Sequence, residues 1–333
     1  MELSESRIQL NILPADKGDC IHLRFQSNDG WHNIIVDSGP AAAAGVFRTL
    51  LKQISAHGEK VDLLCFSHID DDHIKGATRV MASPGFDPSV IQRIWLNVPE
   101  GSMPEKREHE IFSPKSVSTA NHLLQSIVNH GIRCETLLVT GKEIHMGNAT
   151  ISVALPTQER LQSYYKEWER QIPKALYQPQ ATHRDTSPTN GSSIALVCAI
   201  GNRSILLAGD AFPDDLESVG NQYAKTAGFS IVKLPHHGSD ANITLDMLNA
   251  LGARDLIIST KQTPQRPGCE AMALISAYGA NTDGVTIYGN YGWSRYSANI
   301  PKVKIIHPQN EFFWSRDRIE VYSDASSTLL FAE

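Results

Sequence analysis

The stretch Ser67–Gly76, SHIDDDHIKG, constrains this chain more than any other. It packs His68, Asp70, Asp72 and His73 into six residues. The apolar run Val61–Phe66 before it reads as a buried strand, and Ile74, Ala77, Val80 and Met81 after it fall at helical spacing. The cluster therefore sits where a core strand ends and a helix begins, the position at which α/β proteins gather ligands and chemistry. Carboxylates this close raise one another's pKa, and a bound cation removes that cost while accounting for the imidazoles. A solvated loop would explain three acids alone. A histidine on each side, at a strand end, points instead to a metal.

Two further clusters share that context. Ile8–Leu13 and Cys20–Phe25 read as strands joined by the Lys17-Gly18-Asp19 turn, and Trp31–Val36 as a third strand ending at Asp37. Ala41–His57, Ser116–His130 and Arg160–Lys174 have helical periodicity, while Pro99–Pro114 and Thr182–Gly191 have loop composition. Ile91–Val98, Glu135–Val139 and Ala149–Leu155 read as strands, and Ser193–Ile200 with Arg203–Ala208 as a hairpin. Asp210 follows that hairpin, His236-His237 follow the strand Phe229–Leu234, and Leu256–Ser259 reads as one more strand. Each cluster alone has a bland explanation: a turn acid, a helix cap, polar loop residues. All of them at equivalent strand ends describe one site, and imidazole with carboxylate suits Zn²⁺, Mn²⁺ or Fe²⁺.

Composition bounds the remaining classes. Of 333 residues 41% are hydrophobic and 20% charged, enough for a sizeable core, and the formal charge of −6 excludes a global positive field holding the chain on nucleic acid. The five cysteines form no C-x-x-C and three lie in apolar runs, so a reduced, cytoplasmic protein is expected. The N-terminus lacks a signal-peptide core, and no apolar run reaches membrane-spanning length. Residues 1–333 are expected to form a single domain.

The motifs KGDC, VDSG, SHIDDDHIKG, NGSSIAL, LLAGDA and KLPHHGS occur in the order seen in metallo-β-lactamase-fold hydrolases, which the chain resembles over Ile8–Ser259. SHIDDDH is similar to the superfamily's H-x-H-x-D-H signature with Asp70 at the second histidine. That variant resembles the ComEC/Rec2-like branch and the phosphorylcholine esterases. The resemblance implies a four-layer αβ/βα sandwich with helices outside two facing sheets. It implies that His68 and Asp70 ligate one divalent metal, that Asp72 and His73 ligate a second, and that Asp210 bridges them. One of His236 and His237, with His237 preferred, would join the first site. Asp37 would support the histidine loop, and Asn190 would orient substrate or a ligand.

One position departs from the pattern. Relatives commonly carry a second-site histidine after the strand matching Leu256–Ser259; here Arg266 stands there, and a guanidinium cannot replace imidazole as a ligand. The second site is therefore expected to be weaker or completed from elsewhere, with His183 and His307 as candidates, or Arg266 contacts a substrate phosphate. The resemblance implies a phosphodiesterase or nuclease using one or two Zn²⁺ or Mn²⁺ ions, with Asp70 or Asp72 orienting the attacking water. The substrate would be a phosphodiester, nucleic acid or nucleotide. The alternatives are hydrolysis of a carboxylic ester, lactone or thioester, and a catalytically degenerate metal-binding sensor or interaction module.

Overall fold

Alternating apolar residues build two sheets whose inner faces bury one another. The computed structural model describes residues 7–104, 115–170, 184–223, 228–296, 300–306, 311–315 and 318–322. His183 and His307 lie outside them, as does the end of the expected Arg160–Lys174 helix. In the first sheet, β1 (Ile8–Ile12), β2 (Ile21–Ser27) and β3 (Gly30–Val36) run antiparallel, and β4 (Leu63–Phe66), β5 (Ile94–Leu96) and β6 (Cys134–Glu135) continue parallel to β3. In the second sheet, β7 (Glu143–Met146), β8 (Ala149–Leu155), β9 (Ala195–Ile200) and β10 (Arg203–Leu207) run antiparallel. There β11 (Ile231–Lys233), β12 (Asp255–Ile258), β13 (Val285–Gly289) and β14 (Val303–Ile306) follow in parallel. Finally β15 (Glu311–Ser315) and β16 (Arg318–Tyr322) return to the first sheet beside β1.

The period of two sends Leu10, Leu23, Phe25 and Ile34 of the first sheet against Ile151, Leu196, Cys198 and Ile205 of the second. The outer faces are closed by helices. On the first sheet lie α1 (Ala44–Ala56), α2 (Asp71–Met81), α3 (Lys115–His130) and α4 (Gln158–Arg170). The short α5 (Pro188–Gly191) precedes β9, and α6 (Pro213–Tyr223), α7 (Leu245–Leu251) and α8 (Cys269–Asn281) cover the second sheet. The result is the expected α/β/β/α layering. Helix α1 buries Phe47, Leu50, Leu51 and Ile54 on one face, worth about 1.5–3 kcal/mol per side chain.

Two expectations fail locally. The strand expected over Glu135–Val139 stops at Glu135, and Leu137, at φ 61°, leaves the extended region and exposes its side chain. The loop expected over Thr182–Gly191 contains the single helical turn α5, which Pro188 opens at its first position. Among the described residues no helix is long and apolar enough to cross a membrane.

The parallel strands of both sheets end at the same edge, and the sheets are stitched there. Ile194 N–H donates to Ser67 O (2.8 Å), Ser259 Oγ to Gly18 O (3.0 Å) and Asn290 Nδ2 to Leu13 O (2.8 Å).

Candidate metal centre

Helix α2 begins at Asp70, a cap-type residue at its N-cap position whose side chain makes no cap hydrogen bond. Its Oδ2 instead lies 3.7 Å from His68 Nε2. The helix start is set by the Asp37–Gly39 loop: Ser38 N–H donates to His73 O (2.8 Å), and Ala77 N–H to Ser38 Oγ (2.8 Å). Gly76 permits this approach, because a Cβ there would lie 2.1 Å from Ser38 O. Gly18 does the same on the other side, where a Cβ would lie 1.9 Å from Asp72 O.

Four imidazoles are tethered at Nδ1 and turn Nε2 toward one carboxylate. His73 Nδ1 donates to Asp37 Oδ2 (2.7 Å), which leaves Nε2 3.5 Å from Asp210 Oδ2. Ser67 Oγ donates to Asp37 Oδ2 (2.7 Å) and is left to accept from His68 Nδ1 (3.0 Å), so that His68 Nε2 lies 3.9 Å from Asp210 Oδ2. His237 Nδ1 donates to Ser259 O (2.9 Å) and faces Asp19 Oδ1 (3.2 Å); its Nε2 lies 3.8 Å from both Asp210 Oδ1 and Asp72 Oδ2. His236 Nδ1 donates to Asn242 Oδ1 (2.7 Å) and faces Asp185 Oδ2 (3.1 Å), with Nε2 3.6 Å from Asp210 Oδ2. His236 and His237 reach these positions through consecutive left-handed residues, φ 48° and 57°.

The donor set fits a divalent cation. His68 Nε2, His73 Nε2, His237 Nε2 and Asp210 Oδ1 are buried and have no hydrogen-bond partner among the described residues. Buried polar groups are ordinarily satisfied, so four unsatisfied atoms on one centre call for a ligand. One ligand atom each from Asp19, His73, Asp210 and His237 lies within 4.8 Å of the others. Burial opposes ionisation of Asp210, yet His236, His73 and His237 around it hold its carboxyl well below the usual range. Burial likewise opposes a proton on His73, and Asp210 and Asp37 on its two nitrogens push it well above the ordinary imidazole value. A divalent cation competes for the same electrons as that proton.

The structure thus brings together His68, Asp70, Asp72, His73, Asp210, His236 and His237. His237 faces Asp72, with its Nε2 3.8 Å from Asp72 Oδ2. Asn190 stands behind His236: its Nδ2 donates to Asp185 Oδ2 (2.7 Å). Arg266 reaches the centre, with Nη1 3.9 Å from Asp72 Oδ2 and Nη2 in contact with His236 Nε2.

Sequence reasoning missed Asp185 and the Lys233–Asp19 ion pair. Both partners of that pair are 1% exposed, and Lys233 Nζ also donates to Gly209 O (2.9 Å). The available signal was a lysine inside the apolar strand FSIVKL, where a charge is retained only with a partner.

Residues 25–147 match the sequence model of the Metallo-beta-lactamase superfamily. The match includes the His68–His73 loop and ends before Asp210. The fold is of metallo-β-lactamase type, with helices outside two mixed sheets. Similar solved structures include a diphosphatase from the PhnP family at 12% identity and TM-score 0.43, covering 96% of this chain and 100% of that one. CmlA, a diiron β-hydroxylase from Streptomyces venezuelae, aligns at 11% identity and TM-score 0.44, over 92% of this chain and 54% of its own. The metallo-β-lactamase MIM-1 from Novosphingobium pentaromativorans aligns at 17% identity and TM-score 0.33, over 83% and 88%. No curated protein matches by sequence.

Proposed function

We propose that this chain is a divalent-cation-dependent hydrolase of phosphodiesters, with nucleic acid or a nucleotide as its substrate class. The observation that carries the reading is the convergence of the unsatisfied Nε2 atoms of His68, His73 and His237 on buried Asp210. His68, Asp70, Asp72, His73, Asp210, His236 and His237 are the residues available to hold Zn²⁺ or Mn²⁺. A divalent ion supplies Lewis acidity and a water acidic enough to attack near neutral pH.

The side chains divide the remaining work. The Asp70 and Asp72 carboxylates, each partly exposed, face the centre and are placed to orient a water and accept its proton at Oδ2. His68, His73 and His237 are buried around Asp210, whereas His236 is partly exposed. Arg266 is 23% exposed beside Asp72, and its fork of donors matches the non-bridging oxygens of a phosphate. That cationic fork favours a phosphodiester over an uncharged ester, lactone or thioester.

A substrate panel tests the reading. Bis(p-nitrophenyl) phosphate and a short oligonucleotide are compared with a thioester and a lactone, with Zn²⁺ or Mn²⁺ and after chelation. Turnover of the phosphodiesters, abolished by chelation, is expected. Turnover of the thioester or lactone alone would transfer the assignment to carbonyl chemistry.

A further inference from the structure

The two sides of Asp210 differ at His236, which Arg266 contacts. On one side His73 Nε2, His237 Nε2 and Asp210 Oδ1 have no hydrogen-bond partner among the described residues, and Asp72 Oδ2 lies 3.8 Å from His237 Nε2. Their rings are held from behind by Asp37, Ser259 O and Asp19. On the other side stand His68, whose Nε2 is likewise without a hydrogen-bond partner among the described residues, with Asp70, Asp210 Oδ2 and His236, and here Arg266 Nη2 contacts His236 Nε2.

A guanidinium has donors and no acceptor. Its contact with His236 therefore uses the Nε2 lone pair, the one His236 would give to an ion. The tautomer agrees, because Nδ1 carries its proton toward Asn242 Oδ1 (2.7 Å) and Asp185 Oδ2 (3.1 Å). Asp185 is itself held by Asn190 Nδ2 (2.7 Å) and Asn242 Nδ2 (3.3 Å).

Arg266 is fixed in place by its own loop. Its N–H donates to Thr263 Oγ1 (2.9 Å), and Thr263 N–H donates to Arg266 O (2.8 Å). Arg295 spans the tip, donating to Pro264 O and Thr263 O (3.1 Å each). Gly268 N–H donates to Gly238 O (2.9 Å), tying the loop to the histidine turn.

We propose that the centre keeps one resident ion, on Asp72, His73, Asp210 and His237, and that the Arg266 guanidinium supplies the positive charge of the other half. One lone pair cannot serve an N–H donor and a metal together. The incoming anionic group would then lie between the ion and the guanidinium. This inference rests on the metal-hydrolase reading, and the test separates the two.

Protein loaded with excess Zn²⁺ is dialysed against metal-free buffer and its zinc is counted by elemental analysis. The wild type is expected to retain one equivalent and His236→Ala the same. Arg266→Ala and Arg266→Gln are each expected to gain a second equivalent, and adding His236→Ala to Arg266→Ala to lose it again. Two equivalents in the wild type, loss of the resident ion in His236→Ala, or a single equivalent in both Arg266 variants would overturn the proposal while leaving the hydrolase reading standing. A wild type that retains no zinc and hydrolyses nothing would end both.

Discussion

Asp37 holds a left-handed φ of 62°, which a non-glycine residue keeps only where its surroundings fix it. Its fully buried carboxylate accepts from Ser67 N (2.7 Å), Ser67 Oγ (2.7 Å) and His73 Nδ1 (2.7 Å). It thereby sets both the histidine loop and the His73 tautomer. Asp37→Asn puts an N–H where His73 and Ser67 need an acceptor, and should weaken Zn²⁺ affinity roughly 10–100-fold. A zinc titration with unchanged affinity would remove Asp37 from the account. Lys233 makes a second prediction. Lys233→Met leaves Asp19 buried without its cation, so urea unfolding should show a loss of about 3–5 kcal/mol, partly recovered by adding Asp19→Asn. A loss near zero would mean that water already reaches the pair. Asp37 was legible because its acid ends a strand beside the histidines. Asp19 reads as a turn acid because its partner Lys233 lies far along the chain and only the packing of the two sheets brings them together.

Among the elements, β1, β2 and β3 are informative because their outer face is polar and yet buried: Gln9, Asn11, His22, Arg24 and Asn33. Neutral His22 satisfies its neighbours, with Nε2 donating to Asn33 Oδ1 (2.9 Å) and Nδ1 accepting from Asn11 Nδ2 (3.2 Å). Burial, aided by Arg24, pushes its pKa down from 6.5 to about 4. The unfolded chain therefore binds the proton first. The stability this group contributes is complete above its ordinary pKa and is lost as pH falls from 6.5 toward 4. The full loss is about 3 kcal/mol. Urea unfolding at pH 7 and pH 4.5 should show a steeper decline in the wild type than in His22→Gln; equal declines would place the pH sensitivity elsewhere. The alternation that defines these strands was readable. The one-turn α5 was not, because a four-residue helix has no period to detect. The early end of β6 was not either, because Leu137 turns away through its backbone angle while its sequence remains β-prone.

Across the whole molecule, the layering was legible from the resemblance carried by the motif loops at the strand ends. The chain beyond Ser259 was not, because no acid or imidazole cluster follows to anchor a reading. Yet that segment supplies α8, β13 and β14, and its last described strands close the first sheet beside β1. The separate directions of the two adjacent histidines also required the structure. Adjacent residues such as His236 and His237 are equivalent in sequence, and only their left-handed turn sends one toward Asp72 and the other toward Arg266. The central claim is that Asp210 is the carboxylate on which a divalent ion is held. The most direct test is the metal content of Asp210→Ala after Zn²⁺ loading and dialysis, with folding followed by thermal melting. The account predicts that the wild type retains zinc and that the variant melts cooperatively and retains none. A folded Asp210→Ala protein with wild-type zinc content would contradict it.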